Sequence, residues 1–306
     1  IGAGWAGCAA AVELTNKSHR VSLFEAARVA GGRARRVDQH GLPLDNGQHI
    51  LLGAYRDTLR MMRKVGLDPA ETLLRLPLQM RYPPASDGMD FIAPRLPAPL
   101  HMVWALLRAR GLGYADKLAL ARFSSAARWM DWRLDTDCSV SELLDRFDQT
   151  ERLIQLMWRP LCIAALNTPP ERASAKVFLS VLRDSLGASR AASDMLLPKT
   201  DLSALFPDAA IHYIEQRGGN VRLGVHVRSI ERAGQQWVFD GDHFDKVIVA
   251  TPSWVAAGLL AAHDPAVAGM AFGHEPITTC YLQYASEEKL AIPFYALRDD
   301  AQAGQW

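Results

Sequence analysis

Cysteine is scarce in this sequence. The 306 residues hold four, Cys8, Cys138, Cys162 and Cys280. They lie far apart, in no C-x-x-C pair and no zinc-ligand spacing, and read as reduced core or surface thiols. The nine histidines form no H-E-x-x-H or comparable cluster, so no metal site is expected. Charge of one sign is missing too: 34 Lys and Arg stand against 33 Asp and Glu, a formal net charge of +1. A nucleic-acid partner would call for a strongly basic footprint, and none is expected. No signal peptide is visible, and no uninterrupted apolar run reaches the ~18 residues of a membrane span. The expectation is a soluble or peripherally bound cytoplasmic protein. No internal repeat or low-complexity tract appears.

Apolar residues are plentiful at 49 %, enough for substantial cores, and the length suits about two domains. The organising stretch is the first one, Ile1-Gly2-Ala3-Gly4-Trp5-Ala6-Gly7, which runs directly into the apolar, helix-like Cys8 to Leu14. This is G-x-G-x-x-G at a strand-to-helix turn. Gly2 allows the tight turn, Gly4 lets a pyrophosphate approach the backbone, and Gly7 lets the helix pack closely. The helix N-terminus then offers free N–H groups to phosphate. A second apolar run, Arg20 to Phe24, ends at Glu25, where a ribose-binding acid is expected. Strand, helix, strand and acid in order predict a dinucleotide site.

Next come Gly31-Gly32-Arg33-Ala34-Arg35-Arg36 and Asp45-Asn46-Gly47-Gln48-His49. With these, the sequence resembles the FAD-dependent amine oxidase and carotenoid desaturase superfamily, whose entry signature adds G-G-R and a D-x-G segment to the glycine loop and terminal Glu. The resemblance implies FAD as cofactor. It places Gly32 and Arg33 by the nucleotide, with the Arg33 guanidinium fork suited to pyrophosphate, and Gly47 and Gln48 by the flavin ring. Val227, in a V-x-x-I segment, would lie against the adenine, although a plain buried strand residue fits its chemistry equally well. The fold class expected is α/β, a Rossmann-type FAD-binding domain with an inserted helical and sheet substrate domain. Ile1 stands one residue before the first glycine, and nothing after Gly273 resembles the superfamily's closing flavin segment, so a fragment lacking both ends is expected.

Along the chain, residues 1–55 read as the first part of the FAD domain and 56–204 as a largely helical substrate or cap domain. Residues 205–265 read as the second FAD part, and 266–306 as substrate-domain strands. Tyr55 to Val65 is predicted helical and ends at Gly66. Strands at 78–82 and 89–92 form a predicted hairpin. Helices are predicted from about His101 to Leu186, with Ser139 and Glu142 in capping-box spacing. Ile211 to Gln216 is a predicted helix, and 220–223, 225–230, 237–239, 245–250 and 278–284 are predicted strands.

Trp158-Arg159-Pro160 through Pro169, Phe178 to Gly187, and Ser193-Asp194-Met195-Leu196-Leu197-Pro198 narrow the resemblance to the hydroxysqualene dehydroxylases of bacterial hopanoid synthesis. That resemblance implies reductive removal of the hydroxyl of hydroxysqualene, giving squalene and water with reduced FAD as hydride donor. The hydroxyl is allylic, so its departure leaves a delocalised cation, and an acid must protonate the leaving oxygen. His49 is the candidate catalytic residue; it could equally hydrogen-bond the flavin or be structural. Arg159 is given an ion-pair or packing role. No second glycine triplet offers a nicotinamide site, so the reductant of FAD is expected to be a diffusing donor or partner. A related desaturase, an amine oxidase or a non-catalytic flavin-binding protein are the competing readings. Between His101 and Leu134, Trp104, Tyr114, Phe123, Trp129 and Trp132 alternate with Arg108, Arg110, Lys117, Arg122, Arg128 and Arg133. That mixture suits either a membrane surface or a packed helix with a solvated basic face.

Overall fold

The computed structural model of the chain describes residues 1–268, 272–286 and 288–298. The chain divides into two compact units. One joins Ile1–His49, Arg56–Leu74 and Leu197–Thr279; the other joins Ile50–Tyr55, Arg75–Leu196 and Cys280–Trp306.

In the first unit the helix Trp5–Asn16 buries short side chains, Gly7, Cys8, Ala11, Val12 and Thr15. Such a face permits close packing, and the helix Pro207–Gln216 lies beside it, with the Tyr213 hydroxyl donating to the Asn16 side-chain oxygen at 3.1 Å. The strand Ser22–Glu25 pairs in parallel with Asn220–Leu223, Leu23 opposite Val221. Parallel neighbours need a long crossover, as a Rossmann half requires. Gly2 donates to the Phe24 carbonyl at 2.7 Å and Ala250 donates to the Ile1 carbonyl at 2.8 Å, so Ile1 and Gly2 run between those two segments.

Two predicted strands in this unit are irregular instead. After Leu223, Gly224 takes φ +75° and turns the chain, so 225–230 makes one ladder-like bond, Val225 N–H to the Glu25 carbonyl at 2.9 Å, and then leaves the sheet. In residues 245–250 the backbone bonds run to Ile1, at Ile248 and Ala250, and the Asp245 side chain accepts from Gln236 at 3.1 Å. Their apolar side chains are spent on packing: Val227, Ile230, Phe239 and Leu259 surround Phe24, with Val247 and Val249 against them. Beside this cluster runs the antiparallel meander Glu231–Ala233, Gln236–Phe239 and Asp242–Phe244.

The second unit contains the predicted hairpin, Gln79–Arg81 against Asp90–Ile92, and the helices Leu100–Arg108, Tyr114–Trp129, Val140–Arg146, Arg159–Leu166 and Ala175–Ser185. Its core is aromatic at the centre. Trp158 meets Phe123 edge-on at 4.9 Å and Phe178 at 6.2 Å, among Leu143, Leu144, Leu153 and Leu179. The indole N–H of Trp158 donates to the Gln149 side chain at 2.9 Å, so this buried polar atom is satisfied. The Ser139 and Glu142 capping box forms as expected.

Pro160 shapes the same region. It has no N–H for the carbonyl of Leu156, four residues back, and the chain opens into a wider turn over Ile154–Trp158. The hydroxyl of buried Tyr82 donates to that Leu156 carbonyl at 2.9 Å. Arg159 pairs with Glu171 at 2.8 Å, the ion-pair role foreseen for it.

The last predicted segment, 266–306, falls partly outside the described residues. Among the described residues, 278–284 is not a strand and its side chains are exposed. Alternation alone does not make a strand; paired cross-strand neighbours do.

Candidate cofactor site

Every residue singled out for the nucleotide and flavin lies in the first unit. At Gly2 and Gly7 the loop leaves no room for a larger residue. A Cβ on Gly7 would stand 1.8 Å from the Gly2 carbonyl oxygen, so the helix can begin this close to the preceding turn only with glycine there. Gly4 caps the helix with no side chain, and no acidic residue occupies the first turn. The first-turn amides and the positive end of the helix dipole are therefore left for an anion.

The G-G-R segment closes against this loop. Gly31 donates to the Ala3 carbonyl at 2.8 Å, and a Cβ on Gly32, whose φ is +61°, would stand 3.1 Å from the Gly4 Cα. Two backbone segments thus approach face to face, leaving a cradle that side chains would fill. Glu25 joins them: one carboxylate oxygen accepts from the Ala3 amide at 2.7 Å, the other from the Ala27 amide at 2.9 Å. Each oxygen keeps a further lone pair for a ribose hydroxyl. This combination fits a dinucleotide with its pyrophosphate at the helix start.

Arg33 is exposed, and no ion pair or hydrogen bond engages its guanidinium among the described residues. Its carbonyl accepts from the Asn46 side chain at 2.8 Å, which ties the G-G-R segment to the D-N-G segment. Gly47, at φ +89°, makes a tight turn with its N–H on the Asp45 carbonyl at 2.8 Å. Gln48 and His49 follow on an open surface of the unit. His49 is exposed by area, yet enough atoms crowd its ring that desolvation lowers its pKa. Asp45 opposes this shift and the Arg33 charge adds to it. The D-N-G turn is therefore brought near Arg33. Val227 is buried beside Phe24, in the segment that runs on from the Glu25 carbonyl contact.

An anchor absent from the sequence reading holds this geometry. The hairpin Arg36–Gln39 with Leu42–Asp45 is latched through both strands at its open end to the start of the helix Leu202–Leu205. Arg36 pairs with Asp201 at 3.1 Å and its amide donates to the Ser203 hydroxyl at 2.9 Å, while Asp45 accepts from the Leu202 amide at 2.8 Å. Asp201 also accepts from the amides of Ser203 and Ala204 as a helix cap. The signal was local, an Asp in capping position before an apolar run. Its partner lay too far along the chain to be guessed.

Trp5, the variable residue after Gly4, leans on Phe206 at 5.3 Å and donates its indole N–H to the Ala34 carbonyl at 3.0 Å, a second strap across the loop. Thiol chemistry has no place here. Burial pushes the Cys8 thiol up to about 12, and its S–H points at the Ala3 carbonyl.

A model of the family described as flavin containing amine oxidoreductase matches residues 5–287. The chain belongs to that family. Its cofactor is FAD, and the cradle above is where this chain's residues would hold it.

Among curated proteins the chain is similar to the hydroxysqualene dehydroxylase of Zymomonas mobilis subsp. mobilis, 29 % identical over 279 residues, or 85 % of this chain and 63 % of that protein. It is also similar to the chloroplastic/chromoplastic zeta-carotene desaturase of Arabidopsis thaliana, 28 % identical over 75 % of this chain and 43 % of that protein. Among solved structures, a putative protoporphyrinogen oxidase from Exiguobacterium superposes with a TM-score of 0.56 at 18 % identity, covering 88 % of this chain and 62 % of that one. This last likeness shows the shared fold. The chain spans under two thirds of the length of the dehydroxylases it matches, 63 % of the first.

Proposed function

We propose that the chain is part of an FAD-dependent oxidoreductase that removes the hydroxyl of hydroxysqualene to give squalene, a step feeding hopanoid synthesis. The observation carrying this reading is the 85 % of the chain matched by hydroxysqualene dehydroxylases. The reaction balances as substrate alcohol, one proton and one hydride giving hydrocarbon and water. Bound and reduced, FAD supplies the hydride.

The chain's own residues have three tasks. The glycine loop and helix start hold the pyrophosphate, with Arg33 free to swing onto it, because no carboxylate claims its guanidinium among the described residues. Glu25 holds the ribose, and Val227 backs the adenine. Gly47 and Gln48 bring main chain to the flavin ring, and His49 beside them carries the proton to the leaving oxygen. The protein takes its substrate at a membrane surface, because a polyprenyl alcohol partitions into bilayers. Its four free cysteines suit the reducing cytoplasmic side.

The similarity to zeta-carotene desaturase favours one second reading, oxidation of a polyene by oxidised FAD. Product analysis separates the two. The full-length protein is incubated anaerobically with hydroxysqualene and reduced FAD in deuterated water. The flavin N5 hydrogen exchanges with solvent, so squalene carrying deuterium at the former carbinol carbon is the expected product. No squalene, together with new double bonds in a polyprene under oxidising conditions, would replace the first reading by the second.

A further inference from the structure

The helix Leu100–Arg108 is apolar on both sides. Its inner side buries His101 and Ala105, with Met102 and Leu106 against the core of the second unit. Its outer side should be polar in a helix that faces only water. Instead Leu100, Val103, Trp104 and Leu107 stand out at the i, i+3, i+4, i+7 spacing of one stripe, Leu107 63 % exposed. Lys117, from the helix Tyr114–Trp129, donates to the Leu107 carbonyl at 2.9 Å, which brings that helix's first turn alongside. There Tyr114, 84 % exposed, and Leu118 extend the same apolar patch.

Within the patch's own stretch of sequence the charge has one sign. From Phe91 to Ala115 the sequence holds no Asp or Glu, but it holds Arg95, Arg108 and Arg110. All three are exposed, and none is paired with a carboxylate among the described residues; Arg108 lies over the Trp104 ring at 5.1 Å. Several arginines elsewhere in the unit are instead neutralised: Arg75 by Asp194, Arg81 by Asp90, Arg152 by Asp87 and Arg159 by Glu171. The flanking Asp116 is buried and committed to capping at the Gly113 amide.

We infer that this face docks on an anionic lipid surface. At nine residues the helix is about 13 Å long, far short of the ~30 Å hydrocarbon core, and no helix among the described residues can cross a membrane. It lies in the interface, its stripe in the acyl boundary and its guanidiniums at the headgroups. The structure also sorts the aromatic residues of this region: Phe123 is a core residue, Trp132 packs against the core, and Trp129 is exposed on a separate turn. The face stands on exposure and charge; only its purpose rests on the polyprenyl substrate proposed above.

The test uses the full-length protein, sedimented with vesicles of phosphatidylcholine alone or mixed with phosphatidylglycerol. Co-sedimentation with the mixed vesicles is expected, weakened at least tenfold by Trp104→Glu with Leu107→Glu and about fivefold by Arg108→Gln. Trp129→Glu should bind as the parent does. Protein left in the supernatant, or a double variant that still binds, overturns the inference. Two observations on lipid-free protein overturn it as well: strong hydrogen-exchange protection of the stripe by another segment of the chain, or a dimer that the double variant dissociates. Turnover of detergent-dispersed hydroxysqualene by the double variant keeps the chemistry separate: docking can fail while dehydroxylation survives, and the reverse.

Discussion

The Glu25 carboxylate accepts the Ala3 amide hydrogen at 2.7 Å, so the acid that ends one strand is tied to the glycine loop preceding the first helix. Its other oxygen holds the Ala27 amide at 2.9 Å. On the proposed reading, this one side chain sets both the ribose and the pyrophosphate position. Glu25→Ala should lower FAD affinity ten- to hundredfold, since one hydrogen bond to a charged group is worth about 1.5–3 kcal/mol. Glu25→Gln, which keeps one acceptor oxygen, should lose less. Flavin retention by the full-length variants checks both, and unchanged retention in the alanine variant would move the ribose elsewhere.

The cradle makes a paired prediction about backbone space. Gly32→Ala would put a Cβ 3.1 Å from the Gly4 Cα at φ +61°, so both strain and obstruction are expected. Gly41, at φ +77° with nothing within 4 Å, supplies the control. Each alanine should cost about 1–2 kcal/mol of stability for the left-handed backbone. Only Gly32→Ala should in addition weaken FAD binding, by tenfold or more. Equal FAD affinity in the two variants, measured by titration of apoprotein, would mean that the cradle does not hold the cofactor.

The cofactor cradle was legible because its residues are local in sequence: a glycine triplet, an acid at a strand end, a Gly-Gly-Arg. Each has one dominant physical reason to be there. What was not legible depended on partners far along the chain. Asp201 and Ser203 grip Arg36 across more than 160 residues, and no periodicity announces it. The predicted strand at 225–230 failed for the same reason in reverse. Its apolar alternation was real, but Gly224 turns it off the sheet and the side chains pack around Phe24 instead. The tryptophans of 101–134 show the limit of composition, since Trp132 packs against the core while Trp104 and Trp129 lie on open surface.

Tyr82 and Pro160 offer a test of the helical unit. Tyr82→Phe removes the hydroxyl that satisfies the Leu156 carbonyl and should cost about 1–3 kcal/mol, the penalty of a buried acceptor left unmade. Pro160→Ala restores an N–H four residues from that carbonyl. In the double variant the tyrosine loss should shrink, giving a coupling of about 1 kcal/mol in a denaturant double-mutant cycle. Strict additivity would show that the hydroxyl does not substitute for the missing proline donor.

Mild acid should loosen the fold through a buried histidine. His101 is wholly buried and neither ring nitrogen completes a well-formed hydrogen bond among the described residues, although the Pro97 carbonyl lies close enough to act on the ring. Burial lowers its pKa, Arg190 and Arg128 add to the shift, and the Pro97 carbonyl and Asp194 oppose it. The folded state therefore holds this proton less readily than the unfolded chain, whose histidines titrate near ~6.5. Stability contributed by neutral His101 is complete above that pH and is lost as pH falls toward the folded value. His49, shifted the same way, adds to the slope. Asp137, held low by the Ser174 hydroxyl and the Lys176 amide, titrates well beneath this window. Urea midpoints measured across mildly acid pH should drop for the parent and drop less for His101→Phe. Equal slopes would show that the buried imidazole is not the group responsible.

The pKa of His49 also bears on catalysis. An acid that protonates a leaving hydroxyl acts in its charged form, and desolvation of the His49 ring, with the Arg33 charge, works against that form at neutral pH. If His49 is the donor, kcat/KM should fall as pH rises through a value below the usual ~6.5 of histidine. Arg33→Ala should move that limb toward higher pH, because one positive neighbour is gone. His49→Ala should lower turnover by ~10²–10⁴-fold, the range of general acid catalysis, while FAD stays bound. His49→Gln should retain a hydrogen-bond donor to the flavin but no titrating limb, which separates proton delivery from positioning. A parent profile without that limb, or a His49→Ala enzyme at full rate, would assign the proton to a different group.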